Sequence, residues 1–325
     1  MRSMIAGTGS YLPEKILTNA DLMEMVDTTD EWIVSRTGVR QRHLASDDQA
    51  TSDLATAASL KALEMAGKEP GDLDLIIVAT ITPDHFFPST AALVQKNIGA
   101  STAAAFDLEA ACTGFIYGLS VADQFIKSGM YETILVVGAE VLSRYIDWED
   151  RSTAVLFGDG AGAAVLVPSQ DSSQIISTHL HCDGSMTDLL CAPGGGSRMP
   201  PSYEMIDKKL NTIKMKGNET FKIAVTKLSE VVDEVLKHNN ITEDEIDFLI
   251  PHQANLRIIL ATARKLKLSE DKVVITVDRH GNTSAASVPL AMDDAIRNER
   301  IARGDTLLLE AFGGGLTWGA ALVRW

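Results

Sequence analysis

The sequence predicts an α/β protein built from two copies of one β-rich unit, and three observations carry that expectation. Residues 73–79 (LDLIIVA) and 133–139 (TILVVGA) are continuous apolar runs of strand length, the pattern of a parallel sheet covered on both faces. Between such runs lie stretches of helical spacing, of which 51–67 is the clearest. The order then recurs, because helix 221–238, an acidic turn and strand 246–250 repeat the helix, turn and strand of 54–79. Residues 305–310 (DTLLLE) likewise match 132–137 (ETILVV), and 319–323 (GAALV) match 162–166 (GAAVL). The join falls near 169–173. It divides the chain into an N-terminal half, 1–172, and a C-terminal half, 173–325, with a site expected between them.

Bulk properties narrow the class. At 325 residues the chain is long for one core, and 45% hydrophobic with 22% charged residues is ordinary for a globular protein. No apolar run approaches the roughly 18 residues of a membrane span. Residues 4–9 read as a first strand and not as a signal peptide, so no membrane partner is expected. Cys112, Cys182 and Cys191 leave an odd cysteine with no metal-like spacing, which suits a reduced, cytoplasmic setting. A net charge of −15 and a pI near 4.9 argue against nucleic acid as a partner. An acidic partner would need a local basic patch.

Along the chain, Asn19 has the character of an N-cap for a short helix, and Thr28-Thr29-Asp30-Glu31-Trp32-Ile33 starts another. That second helix puts Trp32 and Arg36 on one side. Arg36, Arg40, Arg42 and His43 follow closely, as either a solvated basic loop or a phosphate-binding rim beside a stacking indole. Helix 51–67 takes Ser52 as its N-cap and Gly67 as its stop, and 89–98 forms the next helix. Residues 103–108 (AAAFDL) read as a buried strand that bends at Cys112 into helix 114–128, which Gly129 ends. A cysteine at that bend would meet unpaired N–H groups and the positive end of a helix, which favour a thiolate; a small buried core cysteine is the alternative. The glycines of 157–162 lack the helix and the lysine of nucleotide-binding loops and read as tight packing between strands. Residues 182–217 form a Gly-, Pro- and Met-rich excursion, and 273–278 (VVITVD) is a strand leading to His280-Gly281-Asn282.

Three polar residues therefore fall at strand ends: Cys112, His252 in Pro251-His252-Gln253, and Asn282. Such a set serves hydrolysis through a Cys–His pair, or acyl transfer through a thioester on Cys112 with His252 and Asn282 donating to a developing oxyanion. The glycines Gly313-Gly314-Gly315 after a strand read as a flexible turn or as backbone N–H groups brought close to a reacting carbonyl.

The residues Thr28–Ile33 with Arg36-Thr37-Gly38, Ala111-Cys112-Thr113-Gly114-Phe115, Leu156–Ala164, Pro251–Asn255, Gly281–Ala286 and Phe312–Gly319 carry a resemblance that runs from the first strand to Trp325. The sequence resembles the β-ketoacyl-[acyl-carrier-protein] synthase III family, the condensing enzymes that initiate type II fatty acid synthesis, in the thiolase superfamily. Elongating synthases differ in having a second histidine where this chain has Asn282. The resemblance implies a thiolase-like, five-layered αβαβα arrangement of the two halves. It implies an acyltransferase in which Cys112 takes the acyl group of an acyl-CoA, Cys112 and Gly314 N–H groups hold the oxyanion, and His252 and Asn282 stabilise the enolate formed from malonyl-ACP. It assigns coenzyme A to Trp32, Arg36, Arg151, Asn218 and Asn255, and the acyl pocket to Phe87, Leu142, Phe157 and Leu189. Phe87 would reach across a homodimer interface. Acyl carrier protein would dock on Lys222, Arg257, Arg264 and Lys265, with Lys227 and Lys267 nearby. No metal or other cofactor is implied. The segment 192–203 departs from the family pattern. A relative in specialised metabolism, a cysteine hydrolase and a non-catalytic acyl-CoA-binding protein are the competing expectations.

Overall fold

A computed structural model of the chain describes residues 2–170 and 172–325. In chain order the strands are β1 (Ser3–Tyr11), β2 (Lys15–Thr18), β3 (Gln41–Leu44), β4 (Leu75–Ala79), β5 (Ala104–Leu108), β6 (Ile134–Glu140), β7 (Gly160–Pro168), β8 (Gln174–Cys182), β9 (Leu190–Cys191), β10 (Lys214–Met215), β11 (Phe248–Pro251), β12 (Thr306–Gly313) and β13 (Thr317–Arg324). Five of them form a sheet in the order β1-β7-β6-β4-β5, and four form a second in the order β11-β12-β13-β8. Read from the other edge, the second sheet repeats the first, with β8, β13, β12 and β11 standing where β1, β7, β6 and β4 stand. The directions agree too: β4 runs parallel to β6, as β11 does to β12, while β7 and β13 are antiparallel to their neighbours.

Alternation along the strands explains why the apolar runs are continuous. Leu75 and Ile77 of β4, Ile134 and Val136 of β6 and Leu166 of β7 share one core cluster with Leu307 and Leu309 of β12 and Val323 of β13. Between these two facing surfaces lie helices Gly114–Lys127, through Phe115, Leu119 and Ile126, and Ser287–Arg297, through Val288, Ala291 and Met292. Ile76, Val78, Leu135 and Val137 point the other way, against helices Thr51–Ala66 and Thr90–Ile98. Leu308 and Leu322 pack outward against helices Gly217–Asn239 and Leu256–Lys265. The result is helix, sheet, helix pair, sheet, helix: five layers in a thiolase-like fold.

Several local expectations are corrected. The strand expected at 273–278 is reduced to one parallel bridge, Val273 to Leu249, before a turn of helix at Val277–His280. The Gln253 side chain is the reason, since its Oε1 accepts from the N–H groups of Thr276 (2.7 Å) and Val277 (3.0 Å) that a longer strand would need for pairing. β5 is half-exposed and not buried, because it is the last strand of its sheet and pairs only with β4. Gly160 and Gly162 belong to β7 instead of a loop. Helix Thr51–Ala66 is capped at Ala50, whose N–H donates to Asp53, while Ser52 donates to Asp84. Thr18, not Asn19, caps the first short helix, leaving Asn19 buried with its amide on Asp30 and Val39.

Both halves meet at close quarters on β6. A side chain built at Gly138 would lie 2.2 Å from the carbonyl oxygen of Ala285, in the turn Ser284–Ala286 of the other half. Replacing Gly138 by alanine is therefore expected to force that turn away, with a loss of about 1–3 kcal/mol in stability from overpacking. Thermal or urea unfolding of Gly138→Ala against the native protein checks this; an unchanged midpoint would refute it.

Candidate active site

Cys112 lies in the helical turn Ala111–Thr113, between β5 and helix Gly114–Lys127, and is 6% exposed. The end of β12 passes directly over it. A side chain at Gly313 would lie 2.7 Å from the Cys112 nitrogen and 2.9 Å from its Cβ. Backbone N–H groups of Cys112 and Gly314 both act on the sulfur and favour its anion, as does the Ser284 hydroxyl. Burial nevertheless dominates and, helped by the Glu140 carboxylate, pushes the thiol up to about 12. Of the two readings of this cysteine, burial favours the thiol, because desolvation outweighs the start of the helix.

His252 follows β11, with its N–H donated to the Glu310 carbonyl at 2.7 Å. Its Nδ1 is 2.9 Å from the Ser287 hydroxyl, which accepts from the Gln253 N–H at 2.6 Å. Burial drives the imidazole down to about 3, so it is neutral at physiological pH. Asn282 is held by the segment 156–158: its N–H donates to Leu156 (2.9 Å), its carbonyl accepts from Gly158 (3.0 Å), and it bridges Phe157. Its Oδ1 accepts from the Ser284 N–H at 2.9 Å, which leaves the side-chain NH2 free to donate. One short turn, 282–287, thus holds Asn282, packs against the Cys112 turn and grips His252 through Ser287. The three residues singled out in the sequence converge on it.

The remaining predicted residues divide into groups. Leu142, Phe157 and Leu189 are buried in one cluster with Leu316 and Phe312, beside the Cys112 turn. Phe87 is not with them; it is 86% exposed in a single chain, next to the equally exposed Phe86. Trp32 carries the Arg151 guanidinium 4.6 Å from its ring centre and Arg36 at 5.8 Å, with Arg151 also donating to the Asp27 carbonyl. The basic rim is smaller than the sequence suggested. Arg42 is fully buried, donating to Leu17, Asn19 and Val155, and His43 contacts the Pro13 carbonyl. Asn255 caps helix Leu256–Lys265 and donates to the Arg36 carbonyl, and Asn218 is exposed in the first turn of helix Gly217–Asn239. Lys222, Arg257 and Arg264 are exposed, Arg257 lying over Phe221 and lining a groove with Val225, Leu260 and Arg264. Lys265, Lys267 and Lys227 are instead paired with Asp233, Glu243 and Glu230.

Sequence reasoning missed Ser284, Ser287, Gln253 and Glu140. Three of these sit inside or beside the motifs already noted, but nothing in their spacing shows which side chain meets which. Glu140 had no signal, since it ends an apolar strand in the other half.

The segment 106–184 matches the family described as 3-oxoacyl-[acyl-carrier-protein (ACP)] synthase III, and 236–325 matches that family's C-terminal region. Among curated relatives, a β-ketoacyl-[acyl-carrier-protein] synthase III of Xylella fastidiosa is 59% identical over 321 residues, covering 99% of this chain and 98% of that protein. One of Xanthomonas campestris is 58% identical over 323 residues, with the same coverage. Among solved structures, a 3-oxoacyl-[acyl-carrier-protein] synthase III from Aquifex aeolicus superposes with a TM-score of 0.93 at 49% identity, covering 99% of this chain and all of that one.

Because burial holds His252 neutral, its ring is expected to show no titration by NMR between pH 8 and 5. The unfolded chain protonates this histidine below its ordinary value of 6.5 and the folded one does not, so its contribution to stability falls as pH drops from 6.5 towards 3. A ring titrating near 6.5 would contradict the assignment.

Proposed function

The chain belongs to the 3-oxoacyl-[acyl-carrier-protein] synthase III family and is an acyltransferase, and from that premise we propose that Cys112, His252 and Asn282 share out the condensation of an acyl-CoA starter with malonyl-ACP. In the first half Cys112 sulfur attacks the thioester carbonyl. Cys112 and Gly314 N–H groups take the tetrahedral oxyanion, a role supported by their shared action on the sulfur in the free protein. CoA leaves and the acyl group stays on sulfur. In the second half malonyl-ACP loses carbon dioxide, and the resulting enolate attacks the acyl-cysteine to give β-ketoacyl-ACP. The observation that carries this reading is the convergence of His252, Asn282 and the Cys112 turn on the 282–287 turn.

A neutral His252 suits the second half. With Ser287 able to donate to Nδ1, the ring proton sits on Nε2 and is available to the enolate oxygen, as is the free Asn282 NH2. Loss of carbon dioxide itself supplies the carbon nucleophile, so the proposed chemistry calls on no metal or redox group. CoA would enter over Trp32, where adenine stacking requires Arg151 to swing off the indole, with Arg36 toward the phosphates and Asn218 and Asn255 along the pantetheine arm. Leu142, Phe157 and Leu189 line the acyl pocket, and Phe87 closes the pocket of a partner in a homodimer, a role supported by its exposure in one chain. Exposed Lys222, Arg257 and Arg264, with Lys265 at their edge, are the dock for the acidic carrier protein.

Intact-protein mass spectrometry tests the central claim. Acyl-CoA is expected to add one acyl mass to the native protein, and malonyl-ACP to remove it; Cys112→Ala should gain none. Acyl mass on the alanine variant would overturn the covalent mechanism. Separately, Arg257→Glu is expected to slow discharge by malonyl-ACP about tenfold or more while leaving acylation by acyl-CoA near native. Equal loss in both halves would remove Arg257 from the docking surface.

A further inference from the structure

The excursion 182–217 has no assigned part in the reaction, yet its last third is tied to the loop that carries Arg151. Lys209 makes the tie. Helix Tyr203–Asp207 ends in a reversal in which the Lys209 N–H donates to the Ile206 carbonyl (2.9 Å) and the Leu210 N–H to the Met205 carbonyl (2.9 Å). Lys209 itself lies in the left-handed region, at φ 52°. Glycine fills such a position without steric cost, whereas a lysine there carries a cost that its side-chain contacts offset. Those contacts are ionic: Nζ lies 2.8 Å from Asp147 Oδ1 and also meets the Glu149 carboxylate. The bond from Lys209 holds the Asp147 carboxyl below its ordinary range. Further on, the Ile213 N–H donates to the Tyr145 carbonyl at 2.8 Å, and Ile213 is buried in the cluster that Tyr145 and Trp148 pack against. The excursion therefore grips residues 145–149 at two points, once through backbone and once through charge.

From there the path to the coenzyme A entry is short. Asp147 Oδ1 accepts from the Glu149 N–H (3.1 Å), and the Asp147 carbonyl accepts from the Asp150 N–H (2.9 Å). Asp150 in turn caps helix Arg151–Ala154, accepting from the Ser152 N–H at 2.9 Å. Arg151 is the first residue of that helix, with its guanidinium over Trp32 and on the Asp27 carbonyl. We propose that Lys209 is a positioning residue for the nucleotide end of the acyl donor: by clamping Asp147 and Glu149 it holds the 147–150 turn, and with it the backbone of Arg151, in the geometry that receives adenine. The inference rests on the assignment of coenzyme A to Trp32 and Arg151 above. The clamp fixes the backbone from which the Arg151 side chain starts and leaves that side chain to rotate off the indole. A turn already ordered loses less conformational freedom on binding than one the ligand must order. Both ion pairs are partly exposed, so they add little to folding stability, and their effect falls on donor affinity. Malonyl-ACP offers a pantetheine arm without adenine, so the second half of the reaction does not draw on the clamp.

The test follows single-turnover acylation of the full chain, read as acyl mass on the protein, over a range of donor concentrations. Two donors are compared: acyl-CoA, and the same acyl group on pantetheine, which lacks the nucleotide. Lys209→Met is expected to raise the half-saturating concentration of acyl-CoA about three- to fivefold with a near-native maximal rate. With acyl-pantetheine the variant and the native protein should match, and discharge by malonyl-ACP should be unchanged. Lys209→Arg should restore the native value. Asp147→Asn keeps an acceptor for the Glu149 N–H but removes the charge, and should weaken acyl-CoA as Lys209→Met does, the two together adding little to either alone. An unchanged half-saturating concentration for acyl-CoA, or an equal loss with both donors, overturns the positioning role. A native protein that saturates no better with acyl-CoA than with acyl-pantetheine would instead overturn the nucleotide site at Trp32 and Arg151, and one that gains no acyl mass from either donor would overturn the acyl-Cys112 reading.

Discussion

The carbonyl of Ala285 occupies the place where a side chain on residue 138 would stand, and the backbone of Cys112 does the same over Gly313. Each half of the molecule thus presses a chain reversal onto a central strand of the other: the 282–287 turn onto β6, and the 111–113 turn onto the end of β12. Backbone meets backbone at a spacing no larger residue permits, and this reciprocal contact sets everything around it. Helices Gly114–Lys127 and Ser287–Arg297 begin at these two turns, and both run into the layer between the sheets. Cys112 and Asn282, two of the residues proposed to react, sit at the two turns where the halves touch, so the packing that joins the halves also sets the distance between them.

Burial is the second consequence. Cys112, His252, Glu140 and Glu310 all lie out of water, and desolvation pushes each towards its neutral form. A site in this state suits chemistry whose charge develops on an oxyanion or enolate, because fixed N–H and amide donors act there with little competition from solvent. The outer approach is the reverse. Trp32, Arg36 and Arg151 form a partly exposed cluster, and exposed Arg257 and Arg264 stand in a chain whose net charge is −15. In the proposed reaction, ionic groups at the solvent-exposed approach would attract a charged substrate, and the dry interior would hold the neutral groups that transform it.

Arg42 shows how context redirects a residue whose sequence setting points elsewhere. It falls in a run of basic residues, yet its guanidinium is the largest fully buried side chain and joins Leu17, Asn19 and Val155. Desolvation lowers it to about 10, which still leaves it charged at neutral pH. Gln253 acts similarly, its amide taking up the backbone donors that would have extended the single bridge at Val273 into a strand beside β11. In both cases one polar side chain satisfies backbone groups that would otherwise be buried unpaired.

Local patterns suffice for much of this molecule. Continuous apolar runs mark strands covered on both faces, helical spacing marks the helices between them, and matched strings such as ETILVV and DTLLLE reveal two copies of one unit. The same reading picks out Cys112 and His252 at strand ends, and Asn282 after a segment that the fold reduces from a strand to one bridge. Three-dimensional packing decided the rest. The protonation of Cys112 depends on how much water the opposite half excludes, and the approach of the 282–287 turn to β6 and of Gly313 to Cys112 joins residues far apart in the chain. A short-range pattern records which element a residue belongs to. Desolvation and cross-half hydrogen bonds are set by neighbours that only the folded chain supplies.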